Sequence, residues 1–251
     1  MRRIIFAVLG YAGARLAGRF GDMIPDRVRQ ILFPPVCLVC GQAGRREMDC
    51  CSGCEAELPI LIGQCARCGL ELDRDVAVCG RCAMAMPAYS AAWPGFSYRG
   101  EIERLVRRFK FSGDLPAGRL LADLLARRLA AAGAPRPDLV IPVPLHPRRL
   151  LWRGYNQSAL LCRDLSARLH GLPWHDALAR VRLTENQAEL PAERRSRNVR
   201  NAFRIARLPG PPRFVSLVDD VMTTGSTLDE CARVLRAAGV ERVDVWVVAR
   251  A

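Results

Sequence analysis

An α/β fold built on a parallel sheet, preceded by a cysteine-rich module, is what the sequence predicts. Two stretches carry the sheet. "LVIPVPLHPRRLLWRGYNQSALLCRDL" and "FVSLVDDVMTTGSTLDECARVLRAAG" each run from a short apolar strand through a polar loop into an amphipathic helix. The module rests on a third observation: eight of the eleven cysteines form four CxxC pairs at one fixed spacing. A chain of 251 residues, half of it apolar, can hold one domain of this kind with a small appendage and bury a sizeable core.

In chain order, the amino terminus "MRRIIFAVLGYAGARLAGRF" carries Arg2, Arg3 and an apolar stretch from Ile4 to Ala14 in the manner of a leader. That stretch is far too short to span a bilayer. With Leu16 and Phe20 continuing it at helical spacing and Arg15 and Arg19 interleaved, residues 1–33 are expected to form an amphipathic helical segment without stable membrane insertion.

Residues 34–86 are expected to form a double zinc ribbon. The pairs are Cys37 and Cys40, Cys51 and Cys54, Cys65 and Cys68, Cys79 and Cys82, and their first members lie fourteen residues apart each time. Two thiolates at this spacing bind one face of a tetrahedral Zn²⁺ and a second knuckle closes the site, so eight ligands make two closed, structural sites. Gly41 and Gly69 follow the first and third pairs, where a knuckle turn needs positive φ. This favours pairing first with second and third with fourth, although the uniform spacing also permits an interleaved pairing. A disulfide framework is disfavoured by the odd cysteine total and the lack of a convincing export signal, and the chain is expected in the cytoplasm. Cys50 adjoins Cys51 and could substitute for it. Cys162 and Cys231 fall within helical patterns and read as small buried residues.

Pro87 and Pro94, with small residues between them, mark a linker into the domain at 87–251. A helix is expected from Ile102 through Phe111 and a second from about Leu120 to Leu129. After Pro135 and Pro137 comes the first clear strand, Leu139 to Val143. Its loop carries Arg148, Arg149 and Arg153, Gly154 where the backbone must approach something closely, and Asn156 and Gln157 opening the next helix. His146 reads as an ordinary loop histidine. The stretch "RLTENQAELPAERRSRNVRNAF" reads from Thr184 to Ser196 as a mobile, basic loop.

The net charge of +13 and pI near 9.9 indicate acidic partners, either phosphorylated small molecules or nucleic acid. Lys110 is the only lysine among 38 basic residues, a sign of a general arginine bias, so position counts for more than abundance. Between His146 and Leu208 thirteen arginines face five acids, which places most of the imbalance in one region.

In the last strand–loop–helix unit, Thr223, Thr224, Gly225, Ser226 and Thr227 offer hydroxyls and successive N–H groups in a turn, a nest for a phosphate monoester. Asp219 and Asp220 repel that phosphate, but they can accept hydrogen bonds from vicinal ribose hydroxyls beside it and help hold Mg²⁺ indirectly. Together these describe a ribose 5-phosphate site. The Walker pattern GxxxxGK is absent, which disfavours a nucleoside triphosphatase. A response-regulator acid pair would follow the first strand of its domain, whereas this one precedes the last, Val243 to Val248.

At these residues the chain resembles the ComF family of phosphoribosyltransferase-like proteins. The CxxC array, Lys110 and Phe111 before Gly113, "PVPLH", "RGYNQ" with Tyr155 where the family tends to have Phe, Gln187, "RNVRNAF" and "VDDVMTTGST" occur in the family's order. The resemblance implies a type I phosphoribosyltransferase fold binding 5-phosphoribosyl 1-pyrophosphate (PRPP) and Mg²⁺ at the carboxyl edge of a parallel sheet. It implies that Asp219 and Asp220 meet the ribose hydroxyls, that Thr223 to Thr227 meet the 5′-phosphate, and that Arg153, Gly154 and their loop face pyrophosphate. The expected activity is displacement of that pyrophosphate by an acceptor, with Asp219, Asp220 and Arg153 as the catalytic set. A rival expectation keeps the pocket but makes the protein a non-catalytic handler of single-stranded DNA in DNA uptake, a role with which ComF-like proteins are associated.

Overall fold

The computed structural model describes residues 35–45, 48–72, 76–183, 198–210 and 212–251. The expected amino-terminal helix, the basic loop at 184–196 and Gln187 lie outside the described residues. The chain divides into two compact units, Met1–Glu57 and Leu58–Ala251.

The first unit holds the first two CxxC knuckles and a short helix α1, Ser52–Ala56, capped by Cys51, whose sulfur accepts from the Cys54 N–H. The second unit opens on the other two knuckles and helix α2, Gly80–Met84, and continues into the sheet domain.

Four parallel strands form the main sheet in the order β1, β6, β5, β2: β1 is Ala91–Ser97, β2 Leu139–Pro142, β5 Phe214–Met222 and β6 Arg242–Arg250. The inner strands β5 and β6 are buried along nearly their whole length, as strands covered on both faces must be. Odd-numbered residues of β2, β5 and β6, among them Ile141, Leu217 and Val245, join a core with Leu228, Cys231 and Leu235 of helix α7, Ser226–Ala237. Other buried residues of the sheet meet the helix pair α4, Leu115–Ala131, and α6, Gln157–Arg168. Helix α3, Gly100–Phe111, packs on α4, where a side chain on Gly118 would lie 2.5 Å from the Phe109 ring. A two-stranded antiparallel sheet, β3 (Leu178–Arg180) with β4 (Phe203–Ile205), flanks residues 184–197.

Several expectations need correcting. The segment around Pro94 is strand β1 rather than a linker. Proline and glycine argue against a strand in the sequence, but β1 lies at the sheet edge, where a missing ladder donor is tolerated. The loop holding Arg148, Arg149 and Arg153 is largely a short helix α5, Pro147–Arg153, started by Pro147 and capped by His146, whose Nδ1 accepts from the Arg148 N–H at 3.2 Å. Gly154 ends that helix with φ +87°, and nothing lies within 4 Å of where its Cβ would be. Its backbone angle therefore demands glycine, and close approach does not. Strand β5 runs on through Asp219 and Asp220 to Met222.

Candidate functional site

Both cysteine clusters assemble as first with second and third with fourth. The ligand sulfurs of Cys37, Cys40, Cys51 and Cys54 lie within 4.8 Å of one another, as do those of Cys65, Cys68, Cys79 and Cys82. The Cys40–Cys51 and Cys68–Cys79 sulfur separations are 3.8 and 3.7 Å. A tetrahedral ion with bonds of about 2.3 Å sets its ligands about 3.8 Å apart, so the donor sets fit Zn²⁺. Gly41 and Gly69 take the positive φ expected of them, +75° and +64°. Cys50 is buried outside the first tetrad, its sulfur directed at the Cys51 carbonyl. Cys162 and Cys231 are buried, and burial raises both thiols well above their usual range, as befits packing residues.

The second tetrad is part of the sheet domain's core, sharing its apolar cluster with α7 and with β2, β5 and β6. Arg250, at the end of β6 and 4% exposed, donates from Nε to the Cys68 carbonyl and from Nη1 to the Met222 carbonyl, each at 3.1 Å. One guanidinium thus joins a knuckle to the end of β5, where the threonine-rich loop begins.

At the carboxyl edge of the sheet, where open α/β folds hold ligands, lies a cleft of about 260 Å³. Asp219, Asp220 and the whole loop Thr223–Thr227 line it, with Lys110, Arg149, Arg153, Ser158 and Arg180. Gly225 caps α7 with φ +79° and has no side chain to bond the first turn, where the Ser226 N–H reaches Thr224 Oγ1 at 3.4 Å, and the positive end of the helix dipole faces the cleft. A Cβ on Gly225 would sit 2.6 Å from Met222 Cε and 3.2 Å from the Tyr89 hydroxyl, so this turn needs glycine for both space and angle. Thr224 Oγ1 and Ser226 Oγ are 2.9 Å apart and tie this turn together.

The two acids stand in different environments. Asp219 Oδ1 accepts from Ser158 Oγ at 2.9 Å and from the Asp220 N–H at 3.0 Å, which leaves Oδ2 for a ligand. Burial, then the neighbouring Asp220 charge, pushes the Asp219 carboxyl up to about 7, against the opposing pull of Lys110. Asp220 is 3% exposed and its Oδ1 takes an ion pair from Lys110 Nζ at 2.8 Å. Arg153 Nε, Gln157 Oε1 and Asp220 Oδ2 are buried with no hydrogen-bond partner among the described residues. Buried polar atoms are normally paired, so these three atoms are bonding capacity on the walls of one cleft that a polar ligand could take up.

The structure therefore brings Asp219, Asp220, Thr223 to Thr227 and Arg153 together, while Gly154 serves as the turn beside Arg153. Arg180 escapes sequence reasoning because it falls on a three-residue strand next to an irregular stretch. Burial, then Arg149, lowers its guanidinium to about 10, which still leaves it charged at neutral pH. Ser158 escapes because one serine in a helix carries no signal. Tyr155, the departure from "RGFNQ", donates its hydroxyl to the Phe109 carbonyl and stacks on the Phe109 ring at 5.7 Å, tying the α5–α6 turn to the end of α3. His146 serves as a helix cap, and burial, then Arg180, Arg148 and Arg149, lowers its pKa.

The chain carries a double zinc ribbon followed by a four-stranded parallel sheet with an acid pair and the Thr223–Thr227 turn at its carboxyl edge. The chain belongs to the ComF family. It is 36% identical over 224 residues to "DNA utilization protein YhgH" of Escherichia coli O6:H1, a match covering 86% of this chain and 90% of that one. It is 44% identical over 155 residues to "Competence protein F" of Haemophilus influenzae, covering 59% of this chain and 67% of that one. To "Competence protein ComFC" of Streptococcus pneumoniae it is 25% identical over 159 residues, covering 62% and 66%. The family described as "Double zinc ribbon domain" matches residues 28–83. A solved structure titled as the allosteric regulatory enzyme of purine biosynthesis aligns at 22% identity over 53% of this chain and 26% of that one, with a TM-score of 0.33, too loose a likeness to bear on the argument.

Proposed function

We propose that the cleft binds PRPP with Mg²⁺ and that the protein displaces pyrophosphate from it with an acceptor. One observation carries this reading: an ionisable carboxyl, Asp219, and the amino end of α7 at Gly225 meet in one cleft whose other walls hold Lys110, Arg149, Arg153 and Arg180. Four cations against two acids suit a ligand with several negative charges. The acids accept the ribose hydroxyls, the loop Thr223–Thr227 takes the 5′-phosphate, and the arginines, with Arg153 foremost, face the pyrophosphate. Asp219 and Asp220 would help to hold Mg²⁺ indirectly, and the ion would supply charge neutralisation for the leaving group. The acceptor's lone pair forms the new bond at the anomeric carbon, and the bonding pair leaves with pyrophosphate. The protein's part is positioning and charge stabilisation. Incubation with PRPP, Mg²⁺ and a panel of bases and amines should release pyrophosphate with at least one acceptor. Binding of PRPP without release across the panel would remove the transferase step and leave the binding site.

A second reading, handling of single-stranded DNA, is favoured by a separate observation and by what two relatives' names say of DNA utilization and competence. Trp152 is 78% exposed and Phe111 64%, beside Arg148, Arg149 and Arg153, and such aromatics among arginines form a stacking platform for unpaired bases. Binding should be indifferent to sequence and weaken linearly in log affinity with log salt. A flat salt response would count against it.

A further inference from the structure

Lys110 is the only lysine in a chain with 37 arginines. In this composition every other basic position is an arginine, so the exception indicates that a guanidinium does not serve here. The structure shows a setting for it. Lys110 lies on the last turn of α3, which the Tyr155 hydroxyl holds through the Phe109 carbonyl, and its side chain is 20% exposed. Its Nζ is 2.8 Å from Asp220 Oδ1, in a cleft that Asp219 also lines. Burial opposes its charge, but Asp220 and then Asp219 outweigh that and keep the ammonium protonated. An ammonium has three N–H donors, and Asp220 takes one. The second oxygen of Asp220 is buried without a partner among the described residues. Ammonium and carboxylate therefore present unused donor and acceptor capacity in one cleft, the pairing that a sugar hydroxyl, at once donor and acceptor, can satisfy.

We infer that Lys110 is a positioning residue for the pentose and the fixed cation of the acid pair, so that recognition of the ribose 5-phosphate half of the ligand needs no divalent ion. A divalent ion would then matter only for the pyrophosphate half. A compact point charge suits this place, whereas the planar fork of arginine is larger and fixed in geometry. The inference rests on the sugar-phosphate reading of the cleft.

The single lysine also supplies the test. Labelling with ¹⁵N-lysine puts one side-chain ammonium signal in the spectrum of the whole protein. Ribose 5-phosphate in EDTA should shift it, and inorganic phosphate, which occupies only the nest, should leave it nearly in place. Calorimetric titration of ribose 5-phosphate should give the same affinity in EDTA and in Mg²⁺ for the wild type, and about ten- to a hundredfold weaker binding for Lys110→Met and Lys110→Arg. Ribose 5-phosphate binding that leaves the ammonium signal unmoved, or that Lys110→Arg retains in full, overturns the role of Lys110 alone. Binding of ribose 5-phosphate only with Mg²⁺ overturns the metal independence. Failure of the wild type to bind either ribose 5-phosphate or PRPP with Mg²⁺ overturns the sugar-phosphate reading itself. The ammonium signal of the wild type decides the matter even if a variant does not fold.

Discussion

Asp219 and Asp220 are neighbours in sequence, yet the structure predicts opposite consequences for losing their charges. Asp220 is buried in an ion pair, so Asp220→Asn leaves the Lys110 ammonium uncompensated and should lower stability by about 3 kcal/mol. Asp219 carries a folded-state pKa of about 7, above the usual carboxyl value. The folded protein therefore holds a proton that the unfolded chain has already released between about pH 4 and 7, and this contribution to stability is lost as the pH rises through 7. Asp219→Asn should melt at or above the wild-type temperature at pH 8, and should remove the part of the pH dependence that the wild type shows between about pH 4 and 7. Melting curves of both variants across that range check the assignment, and equal losses for the two would contradict it. The sequence shows that two acids precede TTGST. It does not show which is paired, because the pairing depends on where a helix more than a hundred residues earlier ends.

At the scale of elements, the same limit separates what was legible from what was not. Helix α3 and strands β5 and β6 follow from apolar periodicity, since their partners only need an apolar face. Strand β1 was hidden because Pro94 and Gly95 are acceptable only at a sheet edge, a property of the assembly and not of the segment. The cysteine period shows the ligands but not that the second tetrad is core to the sheet domain. From that placement, Cys65→Ser should cost one equivalent of zinc, lower the melting temperature of the sheet domain and weaken PRPP binding, because Arg250 links Cys68 to the end of β5. Cys37→Ser, in the other unit, should cost one equivalent of zinc and leave PRPP affinity as it was. Gly225→Ala combines a left-handed φ with a 2.6 Å contact, and should reduce both stability and PRPP affinity. Zinc content, melting curves and calorimetric titration of the three variants test these outcomes together; a Cys65→Ser protein with wild-type melting and affinity would refute the structural link.

For the whole molecule, two four-thiolate sites and one cation-rich cleft among the described residues are the features that a function must use. The purified protein should contain two equivalents of zinc under reducing, chelator-free conditions, and elemental analysis finding none would remove the knuckle argument. No helix among the described residues is long and apolar enough to cross a membrane. The proposed site binds the sugar of PRPP through an ionised Asp219. Calorimetric titration of PRPP with Mg²⁺ into wild type and Asp219→Asn at pH 8 tests it most directly, because this substitution keeps the shape and does not lower stability. Loss of one charge-assisted hydrogen bond, worth about 1.5 to 3 kcal/mol, predicts affinity lower by about ten- to a hundredfold in a protein that melts no earlier. Equal PRPP affinity in the two proteins, or no PRPP binding by the wild type, would rule out this sugar site.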